Sequence, residues 1–175
     1  MQFKTVNLIK HGLDKVWTTM RDDLPELAGM MDEIESVTEM EKTVTKSNYH
    51  IVNIWRSAIK LPQAIISVLG SDLFVWTDRA DWNNETHVCT WSIEVHKFRD
   101  SVQCHGTTSF EPAMGGSGTK ITFAGELEWD NRKSGGISGA MGEAFLAMGG
   151  DIIQSSVQKN FRKLAEAAAK YLDKK

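Results

Sequence analysis

Residues 88–129 read VCTWSIEVHKFRDSVQCHGTTSFEPAMGGSGTKITFAGELEW, and this stretch decides the fold. Cys89, Trp91, Ile93 and Val95 alternate with Thr90, Ser92, Glu94 and His96. Val102, Cys104, Gly106, Thr108 and Phe110 repeat the pattern after a turn at 97–101. Ile121, Phe123, Gly125, Leu127 and Trp129 repeat it again after Gly115-Gly116-Ser117-Gly118. Alternation with a period of two, broken by tight turns, gives an antiparallel meander with one buried and one wet face. The inward set is odd-numbered on the first strand and even-numbered on the second, so Cys89 falls opposite Thr108 or Phe110. Cys104 is then four to six residues away along the ladder, roughly 13–20 Å. A disulfide needs Cα atoms within about 7 Å, and a compact zinc site is equally out of reach. Two buried free thiols, no metal and no cofactor are expected.

Upstream, Phe74, Trp76, Asp78, Ala80 and Trp82 share one face of a strand and Thr77, Arg79 and Asp81 the other. Tyr49 to Ser57 forms another β-prone run. Ile34, Thr38, Met40 and Val44 share a parity opposite Glu35, Glu39 and Glu41, which predicts an apolar inner face there too. Phe3 to Ile9 reads as a first strand of undecided facing. Leu13, Val16, Trp17 and Met20 follow at helical spacing, and Asp22-Asp23 before Leu24-Pro25 starts a second short helix. These two helices should cover about 13–22 and 24–30. Pro62 and Gly70 bracket a further short helix. Downstream, residues 135–150 contain six glycines and read as a mobile connection. Ile152, Ile153, Val157, Phe161, Leu164, Ala168 and Leu172 then mark an amphipathic helix over 151–174, although a start near 139 remains open.

Composition narrows the function classes. Twenty basic and twenty-three acidic residues in 175 give a net charge of −3, which argues against nucleic acid as a partner. The longest run free of Asp, Glu, Lys and Arg is the eleven residues 61–71, short of the roughly 18 needed to span a bilayer. Lys4 and Lys10 interrupt any apolar leader, so a cytoplasmic location without membrane insertion is expected. No nucleophile elbow, phosphate loop, dinucleotide fingerprint or zinc-protease helix occurs.

The element order is strand, two short helices, about six antiparallel strands and a long helix. Such a sheet, strongly curved, would bury the stripe of the last helix. At this level the chain resembles the helix-grip superfamily (SRPBCC) of START, pollen-allergen-like and polyketide cyclase/dehydrase proteins. The resembling residues are Val16-Trp17, Asp22 through Leu27, Leu61-Pro62 through Leu69-Gly70, Trp76 and Trp82. Gly118-Thr119 through Gly125-Glu126 and Gly135-Gly136 look like bacterial members of that superfamily. The resemblance implies an α+β helix-grip fold, a curved antiparallel sheet of about seven strands around a long C-terminal helix. It also implies one ligand-binding domain over 1–175 and a cavity between sheet and helix.

The expected ligand is a hydrophobic small molecule such as a lipid, isoprenoid or polycyclic aromatic, in a cavity of a few hundred Å³. Candidate lining residues are Trp76, Trp91, Phe110, Phe123, Met141, Phe145, Met148 and Ile152, with bare Gly106 and Gly125 leaving room. Ile66 and Leu69 in the short helix, with Phe145 and Met148 opposite, would form a lid over the mouth. An alternative reading is a cyclase or dehydratase in the same cavity, with Asp78 as general base and Arg56 as oxyanion partner. The carrier reading is preferred, and the oligomeric state is left open.

Overall fold

In the computed structural model, described over residues 1–58, 66–67, 74–133 and 140–175, alternation becomes an antiparallel sheet. Its seven strands are β1 (Gln2–Ile9), β2 (Ile34–Val44), β3 (Asn48–Ser57), β4 (Val75–Asn83), β5 (Val88–Val95), β6 (Val102–Ala113) and β7 (Gly118–Trp129). They lie in the order β1-β7-β6-β5-β4-β3-β2. Helices α1 (Leu13–Asp22) and α2 (Leu24–Ala28) follow β1, and α3 (Ala140–Asp173) ends the chain. Among the described residues no helix is long and apolar enough to cross a membrane.

The expected register holds. Cys89 pairs with Thr108 and Ile93 with Cys104, so both buried cysteines are free and apart. On β1 the odd residues face in: Phe3 and Ile9 are buried while Val6 and Leu8 are exposed. On β3 the inward set is Ile51, Asn53 and Trp55, all buried. Arg56 is exposed on the opposite parity, which removes it from any interior role.

Three expectations are corrected. The apolar face expected on β2 is not covered, with Met40 59 % and Val44 55 % exposed. This strand is a sheet edge with two register shifts, and only Ile34 is buried along it. The second correction concerns residues 140–150, which are not a loop but the first turns of the 34-residue α3. Gly149 and Gly150 are buried there. A Cβ on Gly149 would stand 2.8 Å from Cζ2 of Trp129, so the bare backbone lets the helix lie against that ring. The third correction is that Gly106 and Gly125 do not leave space. They face each other across β6 and β7, and the Trp91 indole fills the room. A Cβ on Gly106 would meet Trp91 Cζ2 at 2.6 Å, and one on Gly125 would meet Cη2 at 2.7 Å.

Helix α1 closes one end. Its Trp17 meets Trp82 and Phe110 edge-on at 5.0 Å each. The Trp17 Nε1 donates to Asn84 Oδ1 at 2.9 Å, and Arg21 Nη1 donates to the same oxygen at 2.7 Å. One amide in the β4–β5 turn thus pins the helix to the sheet.

Candidate functional site

A cavity of about 140 Å³ lies between the inner face of β3–β7 and α3. Its wall follows from strand parity: Trp76, Asp78, Ala80 and Trp82 of β4 and Cys89, Trp91, Ile93 and Val95 of β5 all point into it. From the other side α3 presents Ile152, Ile153, Ser156, Val157, Asn160, Phe161 and Leu164, while Met20 of α1 and Leu24 of α2 complete the wall. Trp91 lies over the glycine pair and donates from Nε1 to Thr108 Oγ1 at 3.1 Å. Phe161 descends from α3 onto this group, 4.5 Å from the Phe123 ring and 4.9 Å from Trp91. These rings fill the β6–β7 side of the interior, so the remaining space sits toward β3–β5.

That space is smaller than the sequence suggested. A dry cavity of about 150 Å³ accepts a benzene-sized ring, and 140 Å³ is room of that order.

Asp78 is the one charged side chain among the described lining residues. It pairs across the ladder with Asn53 on one side and Ile93 on the other. Asp78 keeps part of its surface open toward the cavity it lines, while its carboxyl is shut away from bulk water. Burial pushes that carboxyl up to about 7, because the charged form loses its hydration. The Asn53 amide, the Trp55 indole and the Arg79 charge pull the other way and do not compensate. Trp55 Nε1 is buried beside the carboxyl without a well-aligned hydrogen-bond acceptor. Burial also pushes the thiols up, Cys104 to about 12 and Cys89 well above its ordinary value, the latter aided by the negative charge of Asp78. Among the described residues no cluster of three His, Cys, Asp or Glu stands together.

The other residues proposed from the sequence divide. Trp76, Trp91, Phe123 and Ile152 line the cavity, with Ile152 37 % exposed and therefore at its rim. Phe110 does not line it; this ring is buried between Trp17 and Trp82. Met148 is 59 % exposed, because its face of α3 points to solvent. Ile66 is half-buried. Leu69 and the side chains of Met141 and Phe145 lie outside the described residues, and so does the expected meeting of the two lid segments. Trp55, Asn160 and Ser156 were missed. The run Tyr49–Ser57 is apolar on both parities, so its pattern does not single out Trp55, and no apolar stripe marks the polar pair on α3.

No protein-family profile matches the sequence, and no curated protein matches it. Solved structures do. The chain superposes on the Zhui aromatase/cyclase from Streptomyces sp. R1128 with a TM-score of 0.67 at 12 % identity, covering 99 % of this chain and 93 % of the other. For the protein Ara h 8.0201 the TM-score is 0.64 at 14 % identity, over 100 % and 99 % of the two chains. For norcoclaurine synthase from Thalictrum flavum, solved with dopamine and hydroxybenzaldehyde, it is 0.63 at 12 % identity, over 99 % and 87 %. With its seven antiparallel strands closed over one long C-terminal helix, and with the same arrangement along nearly the full length of these structures, the chain has the helix-grip fold.

Proposed function

We propose that this chain is a single cytoplasmic domain that binds or carries a small hydrophobic molecule of about one ring, held between β3–β5 and α3. The observation that carries this reading is the cavity: aromatic and aliphatic side chains make nearly all of its wall, and one carboxyl interrupts them. Apolar burial at about 25 cal/mol per Å² supplies the affinity, and Asp78 with Asn160 and Ser156 orients the ligand. The likeness to an aromatase/cyclase and to an enzyme solved with two single-ring compounds supports a fold that encloses such molecules. Native mass spectrometry of the purified protein tests the reading, followed by titration with toluene under tryptophan fluorescence. A retained mass or a saturable toluene response is expected. A protein that carries no mass and ignores toluene would refute it.

The cyclase reading has one observation in its favour: a carboxyl poised at about 7 suits proton transfer near neutral pH. It loses the exposed Arg56 as oxyanion partner, and a space of 140 Å³ is too small for an extended polyketide chain. Turnover of a small aromatic substrate that vanishes in Asp78→Asn would revive it.

A further inference from the structure

We infer that the molecule held in this cavity is an organic cation, a single-ring primary amine whose ammonium sits against Asp78 and whose ring lies among the tryptophans of β3 and β4. This rests on the reading that the cavity takes a small apolar molecule, and it specifies that molecule's charge.

The first ground is charge. No Lys, Arg or His is among the described lining residues. Asn53 and Trp55 of β3 and Cys89 of β5 act electrostatically with Asp78, and α3 lines the same cavity with Ser156 and Asn160; none of these is a cation. Arg79, the next residue on β4, is exposed on the outer face, 4.0 Å from Glu94. A buried carboxylate lacking a cation is costly, and none of the described lining residues brings one.

The second ground is shape. Trp55 and Trp76 are cross-strand partners stacked at 5.8 Å with planes 12° apart. Asp78 follows Trp76 by one step on the same face, about 6–7 Å along the strand. Aromatic faces attract an ammonium as they pack a ring. A carboxylate offers about four acceptor sites and an ammonium three donors. The cavity volume limits the ligand to one ring.

A neutral alcohol could also reach Asp78, but only a cation gains from its ionised form. With the carboxyl at about 7, a cation must first displace its proton. Affinity then follows the ionised fraction and rises about tenfold from pH 6 to pH 8.

The test uses benzylamine, benzyl alcohol and toluene as probes, titrated by calorimetry into the wild type and Asp78→Asn at both pH values. Benzylamine is expected to bind at least about tenfold more tightly than toluene at pH 8, and about tenfold less tightly at pH 6 than at pH 8. Asp78→Asn should abolish both differences. Toluene or benzyl alcohol binding as tightly as benzylamine at pH 8 would overturn the inference and leave the hydrophobic-ligand reading intact. Binding of no probe would overturn both. Should Asp78→Asn fail to fold, the wild type decides alone: no rise in benzylamine affinity between pH 6 and pH 8 overturns the inference.

Discussion

Replacing Asp78 by Asn should change stability by an amount that depends on pH, and the size of that dependence follows from the site. The carboxyl titrates near 3.8 in an unfolded chain and at about 7 in the fold. Between those values the folded state holds a proton that the unfolded chain has released. Stability conferred by the wild-type residue is therefore full below the unfolded value, falls as pH rises through the window, and levels off above about 7. Each unit of separation is worth about 1.4 kcal/mol, so the carboxyl costs the wild type up to about 4 kcal/mol at pH 8 and under about 2 kcal/mol at pH 5. The amide does not titrate. Relative to wild type, Asp78→Asn should thus gain about 2–3 kcal/mol on moving from pH 5 to pH 8. The pH-dependent part of the carboxyl's interaction with Asn53 is already contained in the value of about 7, and the remainder cancels in the difference. Urea unfolding of both proteins at the two pH values measures it. A gap that stays constant, or that moves in favour of the wild type at high pH, would show that Asp78 is not a desolvated carboxyl facing the cavity.

Gly106→Ala should destabilise the fold by about 1–3 kcal/mol or more, since its Cβ would lie 2.2 Å from the Ala124 carbonyl oxygen as well as against Trp91; thermal unfolding reads the loss. Gly149→Ala should be destabilising in the wild type, and become stabilising by about 1 kcal/mol once Trp129→Leu removes the ring it strikes, in a double-mutant cycle by urea unfolding. Phe161→Ala should cost about 3 kcal/mol and enlarge the cavity, so that a two-ring probe such as naphthalene, rejected by the wild type, binds in a fluorescence titration. Cys89 and Cys104 should resist an aromatic disulfide reagent at pH 8 in the native state and both react at once in denaturant, because each is buried with its thiol held protonated; prompt native reaction of either would contradict its place.

How far the sequence carried depended on what covered each strand. From Val88 to Trp129 the partners are central strands with α3 over one face, so alternation tracked burial and narrowed the partner of Cys89 to Thr108 or Phe110, of which the ladder takes Thr108. That parity also put Trp76, Asp78 and Trp91 on the cavity side. β2 alternates as clearly, yet it is an edge and nothing lies over its far half, so its pattern carried no burial. On β3 both parities are apolar, Val52 and Ile54 against Ile51 and Trp55, and only the ladder to β4 decided that Arg56 turns out. The glycines misled twice for one reason. Gly106, Gly125 and Gly149 signal close approach by an indole, and the approaching Trp91 and Trp129 are distant in sequence or on another element. Reading them as empty space or as a loop inflated the cavity and shortened α3.

The sheet order has a kinetic side. Strands β2 to β7 each pair with a neighbour in sequence, whereas β1 joins β7 from Gln2 opposite Glu126 to Ile9 opposite Thr119. Zipping the meander closes modest loops, but docking β1 must bring together the far ends of the chain, at an entropic cost recovered only once β7 is in place. A contact made this late should be absent from the transition state, so weakening it is expected to speed unfolding without slowing refolding. The meander sets how fast this fold forms, and the seam between β1 and β7 sets how long it lasts.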